Sequence, residues 1–509
     1  MFTFLTPDKI IVKISICLNS KLSRMTPVNP SVVQFAFSLL KQSNRILQLI
    51  FLFIFSLLPF PVLAAGLPAH ELSLWWCFPF IGLLLSIALC PILIPKTWHR
   101  HSGKIIGIWC AAFLIPLSCY YNVSAGLSIT IHALLQEYIP FMLLLLALYT
   151  LSGGILIQHN GNGSVKLNVL ILAAGTLLAG IMGTTGAAML FIRPLLRANA
   201  QRRYRTHLVV FFIFLVANIG GGLTPLGDPP LFLGFLKGVG FQWTFVHMLL
   251  PVIINTLILI FIFFCIDYYL WQREIITNDK VQNSISSWSM QGKANLLLLF
   301  AVTGVILISG LCKNLPVWNI YGIETSLVAW IRDGLLLIIT LCSLKLTPTK
   351  LRRQNDFNWA PMIEVGKLFI GIFITIAPVM AILQLGKAGS FGILINLIEQ
   401  NGEPVNTLYF WLCGLLSGFL DNAPTYLVFY NLAGGDAALL MQHLPSTLMA
   451  VSMGSVFMGA LSYIGNAPNL MVKSIAEQHR ITMPSFFGYM GWSVTLLIPV
   501  FLLDTLLFF

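Results

Sequence analysis

Charge is what this chain has least of: Asp, Glu, Lys and Arg make up 9 % of 509 residues, and 17 positions are acidic. Soluble domains carry about 25 % charged residues, so an aqueous fold of this composition would expose large apolar patches. Several chemistries are excluded with it. There is no GxxxxGK[ST] phosphate loop, no HExxH pair and no nucleophile elbow, which removes ATP hydrolysis, zinc proteolysis and serine hydrolysis by this chain alone. The nine cysteines have no CxxC spacing and no paired histidines, so they read as small core hydrophobes rather than metal ligands.

What the chain does have is hydrophobic residues, 57 % of the total, in runs long enough to span a bilayer. Ten such runs fall at about 73–95, 105–122, 130–157, 207–235, 246–270, 293–312, 328–347, 366–386, 447–472 and 485–508. The formal charge of +12 sits in short loops between them, the pattern of membrane orientation rather than of nucleic-acid binding. At the N-terminus, Lys41 and Arg45 precede the apolar run Ile46–Phe60 and the small residues Ala64 and Ala65. Residues 1–65 are therefore expected to be a signal peptide or an uncleaved anchor, with Met25 as an alternative start.

Two further apolar segments, 167–192 and 405–432, are interrupted by Gly183-Thr184-Thr185-Gly186 and Asp421-Asn422-Ala423-Pro424. Basic residues decide how to read them. If both are hairpins that return to the side they entered from, one set of loops holds 19 Lys and Arg and the other three. Reading either as a full span destroys that asymmetry. The expected fold is thus an all-α polytopic membrane protein, an inverted repeat of about five transmembrane helices plus one re-entrant hairpin per half. The first repeat covers 66–292, with hairpin 167–192 and broken helix 207–235; the second covers 293–509, with hairpin 405–432 and broken helix 447–472. A sequence echo supports the division: the decapeptide Gly221–Pro230 aligns without gaps to Gly459–Pro468, with four identities and four conservative pairs.

Gly227-Asp228-Pro229-Pro230 inside an apolar run must stop a helix, because two successive prolines supply no amide hydrogens. Unwound backbone at membrane depth is tolerated only where it lines a cavity, so the breaks point to a binding site. Asp228 and Asp421 are the sharpest signals, since an intramembrane carboxylate is usually paired, cation-bound or protonated. Burial favours the protonated acid and a bound Na+ the ionised one, so proton and cation would compete. The alternative for each is a helix cap or a bond to a neighbouring Thr. Asn422 and Asn466 complete the expected cation and proton site; Thr184, Thr185, Asn218, Thr224, Gly227, Ser462 and Asn469 are candidate substrate-binding or supporting residues, or packing contacts. Glu137 and His132 read as interfacial, Arg332 with Asp333 as a water-facing helix end, and the basic run Arg193–Arg205 as a topogenic loop.

The segments Asn218–Pro230, Leu420–Thr425 and Ser462–Asn469 resemble the paired signature regions of the ion transporter superfamily, which includes NhaD-type sodium/proton antiporters, arsenite permeases, divalent-anion/sodium symporters and citrate transporters. The likeness covers about 73–508. It implies an inverted-repeat homodimer with a scaffold and a moving unit that carries both hairpins. Thr224-Pro225-Leu226-Gly227-Asp228 and the Asp421-Asn422-Ala423-Pro424 tip are similar to the NhaD-like pattern, although Pro229-Pro230 replaces its hydroxyl residues. The expectation is a secondary transporter of a bacterial inner membrane, not an enzyme. It would need no cofactor and no nucleic acid, only the bilayer and Na+ and H+ as transported or coupling ions. Sodium/proton exchange at Asp228 and Asp421 leads; sodium- or proton-coupled citrate or dicarboxylate transport is the alternative.

Overall fold

In the computed structural model, residues 72–509 are described except 160–162, 276–287, 313–315, 321–322, 387–388 and 401–402. The leader or anchor expected over 1–65 lies outside them. The chain is an all-α polytopic membrane protein. Nine helices among the described residues are long and apolar enough to cross a membrane, ten if one pair bent by 41° counts as a single span.

The helices are α1 (Phe78–Leu93), α2 (Pro95–Tyr120), α3 (Val123–His132), α4 (Ile139–Ser152), α5 (Val165–Met182), α6 (Thr184–Ala198), α7 (Thr206–Leu215), α8 (Pro229–Leu236), α9 (Phe241–Ile275), α10 (Lys293–Leu311) and α11 (Leu327–Leu346). They continue as α12 (Thr349–Gln354), α13 (Ala360–Thr375), α14 (Ala377–Gln384), α15 (Gly392–Ile398), α16 (Asn406–Phe419), α17 (Asn422–Leu432), α18 (Ala437–Gln442), α19 (Pro445–Phe457), α20 (Ala467–Gln478) and α21 (Phe486–Phe508). A π-helical turn, Ala133–Tyr138, joins α3 to α4 without a break. Helix starts are set locally: the Asn122, Ser164, Ser326 and Ser485 side chains each accept a first-turn amide, which satisfies donors that lipid cannot.

Both interrupted segments are hairpins. The chain reverses at Gly183, whose φ of +81° suits glycine, and at Leu420–Asp421. Their feet close on themselves: Gly163 N–H donates to the Ala198 carbonyl at 2.7 Å in the first, and Tyr409 Oη–H to the Leu432 carbonyl at 3.3 Å in the second. The expected span 366–386 is the bent pair α13–α14, kinked where Pro378 enters. The expected span 447–472 is α19, a 3₁₀ turn (Met458–Leu461) and α20. Three two-stranded ribbons in the connections were not expected, the first pairing Leu156–His159 with Trp288–Gln291.

Two readings need correction. Arg332 and Asp333 do not face water; they pair at 2.8 Å and are buried in α11. Adjacent opposite charges cancel locally, which makes burial tolerable. Among the described cysteines only Cys77 and Cys413 are buried core; Cys119, Cys265, Cys312 and Cys342 are exposed.

Candidate functional site

Each broken helix is held open by the same set of bonds. In the first, Thr224 Oγ1–H donates to the Gly180 carbonyl at 2.5 Å and accepts from Leu226 N–H at 3.1 Å. In the second, Ser462 Oγ–H donates to the Gly418 carbonyl at 2.5 Å and accepts from Ile464 N–H at 3.2 Å. Donor and carbonyl are 44 residues apart in both cases. The carbonyls belong to the last turns of α5 and α16, which would otherwise lack partners. Glycine is required at the crossings, because a Cβ at Gly465 would meet the Gly459 carbonyl at 2.5 Å and the Ser417 carbonyl at 2.8 Å. Gly227 abuts the Gly221 carbonyl in the same way.

These clamps bring four helix starts to one carboxylate. Asp228 precedes α8, Thr184 opens α6, Asn422 opens α17 and Asn466 precedes α20. Thr184 Oγ1–H donates to Asp228 Oδ1 at 2.8 Å, Asn466 Nδ2–H to Oδ1 at 3.1 Å, and Asn422 Nδ2–H closely to Oδ2. The tip backbone joins in, with Thr184 N–H on the Gly227 carbonyl at 2.8 Å. All four side chains are buried. Helix N-termini carry about half a positive charge each, so an ionised Asp228 is compensated without any basic residue. Turned about their amide planes, Asn422 and Asn466 would instead offer oxygens beside Asp228 and Thr184, a donor set suited to a small hard cation.

A cavity of about 50 Å³ opens on one side of this cluster, room for about three waters. Thr184, Thr185, Gly227, Asp228, Tyr149 and Met362 are among its walls, and Asp228 is the single charged residue lining it among the described residues. No group of three or more His, Cys, Asp or Glu is placed to hold a metal ion among the described residues. A cation at Asp228 would therefore rest on one carboxylate and neutral oxygens.

The other residues expected at the site are distributed as follows. Asp421 caps its own helix, accepting from Ala423 N–H at 3.0 Å, while its carbonyl accepts from Thr425 Oγ1–H at 2.9 Å. It is near enough for its charge to repel that of Asp228, but it makes no bond to it. Asn218 donates to Asn469 Oδ1 at 2.8 Å and accepts from Asn466 at 3.3 Å; Asn469 in turn donates to the Gly459 and Ser462 carbonyls, both at 2.9 Å. These two asparagines brace Asn466 from behind. Thr224 and Ser462 are clamps, with both bonds directed at backbone. Glu137 pairs with Lys237 at 2.6 Å, tying the π turn to the end of α8.

Sequence reasoning missed a buried ionic cluster at the foot of the first hairpin. Asp267 of α9 accepts from Arg202 at 2.5 Å, His207 at 2.9 Å and Asn168 at 2.8 Å, and Arg202 also meets Glu274 at 2.9 Å. A second miss is Asp504 of α21, which Asn255 of α9 reaches at 2.8 Å. Both aspartates stand inside apolar runs, and that placement was the available signal.

A family model described as "Putative citrate transport" matches residues 69–509. No curated protein matches the chain.

Proposed function

We propose that this chain, which belongs to the family whose model spans residues 69–509 and so is a citrate-transport-like secondary transporter, moves a carboxylate anion together with a cation or proton bound at Asp228. The observation that carries the coupling is the focus of four helix N-termini on one carboxylate beside a cavity. With Asp228 ionised and empty, its charge uses up the positive potential of the helix starts and repels an anion. A cation or proton on Asp228 releases that potential to the substrate's carboxylates. Cation first and anion second is then the favoured order, and neither travels well alone. The matched clamps at Thr224 and Ser462, 44 residues from Gly180 and Gly418, support the inverted-repeat reading, in which both hairpins and both broken helices move as one unit.

The test is uptake of labelled citrate into proteoliposomes under imposed Na+, H+ or divalent-cation gradients. Accumulation that needs one of these gradients supports the reading, and none under any gradient removes it. A second reading, sodium/proton exchange, is favoured by the lack of any basic side chain on the cavity wall among the described residues. Dissipation of a preset pH gradient by Na+, indifferent to citrate, would establish it instead.

A further inference from the structure

Arg193 is an anomaly in α6. It is 6 % exposed, lies nine residues beyond Thr184 and does not sit in a basic loop as its sequence neighbourhood suggests. Its guanidinium is loosely held: Nη1–H makes one long bond of 3.4 Å to the Met189 carbonyl, and Nε–H meets no acceptor in good hydrogen-bond geometry. Asp356 approaches Nε at 3.3 Å, well outside the 2.7–2.9 Å expected of a good charge-assisted pair. Asp356 itself is 67 % exposed and stands on the loop before α13 with φ +47°. The pair is loose and open to water on one side.

Its position gives the looseness a meaning. Met189, the acceptor for Arg193, packs with Tyr149 and Met362, both of which line the cavity next to Asp228. Tyr149 Oη–H donates to the Asn358 carbonyl at 2.6 Å, which fixes that ring between the cavity and the 355–359 loop. Arg193 thus stands directly behind the cavity wall, with Arg197 close enough to add to its field. We infer that Arg193 is an anion-recognition residue on the approach to the cavity, on the far side of the Tyr149–Met362 wall from Asp228, where a substrate carboxylate exchanges with Asp356 for the guanidinium. The inference rests on the carboxylate reading above and supplies the positive charge that the cavity wall lacks. Asp356 acts as an internal competitor, occupying Arg193 when no substrate is present and leaving readily because its own side chain is largely solvated. A di- or tricarboxylate suits this arrangement, one group engaging Arg193 on the approach and another remaining free for the helix starts around Asp228.

Initial rates of labelled citrate uptake by the full chain in proteoliposomes, over a range of citrate concentrations at a fixed cation gradient, test it. Arg193→Gln should raise KM about tenfold or more, the loss of a hydrogen bond to a charged group, with maximal rate nearly kept and Arg193→Lys restoring part of the affinity. Asp356→Asn, which tolerates the same backbone conformation, should lower KM about threefold by removing the competitor. Wild-type KM in both Arg193→Gln and Asp356→Asn, with robust uptake throughout, overturns this inference and leaves the transport reading standing. If Arg193→Gln fails to fold, Asp356→Asn decides alone, an unchanged or raised KM overturning the inference. Absence of uptake by the wild-type chain overturns the reading beneath it, and this inference with it.

Discussion

The first and second broken helices share one frame and differ in charge. Thr224 and Ser462 clamp Gly180 and Gly418 with bonds of 2.5 Å at a spacing of 44 residues, and Thr184 and Asn422 stand the same 44 residues before Asp228 and Asn466. Yet the first break carries a carboxylate where the second carries an amide, and the cavity is lined by the first and not the second. Geometry is thus duplicated while electrostatics is not. A single charge at a point served by four helix starts can be neutralised by one cation, whereas two would repel and need two. Asp421 fits this economy, since its side chain is turned back to cap α17 rather than toward Asp228.

The comparison can be broken at its centre. Asp228→Ala leaves the Thr184 hydroxyl and two buried amides without their acceptor and removes the charge, so coupled citrate uptake should fall at least about 100-fold in protein that still elutes as a folded species. Transposing the charge with Asp228→Asn and Asn466→Asp keeps the composition of the cluster but moves the carboxylate away from the cavity; uptake should stay below about a tenth of wild type if access matters as well as charge. Recovery to wild-type rates would show that the two breaks are interchangeable.

The hairpin feet extend the contrast to stability. Asp267→Asn opens the ionic cluster at the foot of the first hairpin, with Arg202 left buried and less well paired, at a cost of about 3–5 kcal/mol. Tyr409→Phe removes the side-chain bond that closes the foot of the second, costing about 1 kcal/mol. Thermal unfolding in detergent should rank them in that order, and equal effects would deny the first foot its special role. The smallest effects are expected at the clamps, where Thr224→Val and Ser462→Ala should each cost about 1 kcal/mol and lower thermal midpoints alike, without altering which cation supports uptake.

The breaks were legible in the sequence because Gly, Pro and Asp interrupt runs that would otherwise continue as helix, and the chain reversals because reading either segment as a full span destroys the asymmetry of basic residues among the loops. Within the site, resolution fell to single residues. Thr184 and Thr185 are hard to tell apart in Gly-Thr-Thr-Gly; the bond to Asp228, with the shared 44-residue spacing, makes Thr184 the counterpart of Asn422, and Thr185 is half-buried on the cavity wall. Asp421 drew attention by its charge, but in Asp-Asn it is the amide that reaches inward and the carboxylate that caps. The ionic foot joins Asn168, Arg202, His207, Asp267 and Glu274 across more than a hundred positions, so no local pattern announces it. Arg193 read as part of a basic loop because its distant partners, Tyr149 and Asp356, stand 44 residues before it and 163 after it, where no local spacing shows them.

Asp228 is the carboxylate proposed to bind the coupling cation. Thermal unfolding of the purified wild-type chain and of Asp228→Asn, each titrated with Na+, Mg2+ and acid, measures it most directly, since a ligand that binds only the folded state raises its midpoint. The account predicts that at least one of these raises the wild-type midpoint in a saturable way and leaves that of Asp228→Asn unmoved. Equal stabilisation of both proteins by the same ion would place the cation elsewhere and contradict it.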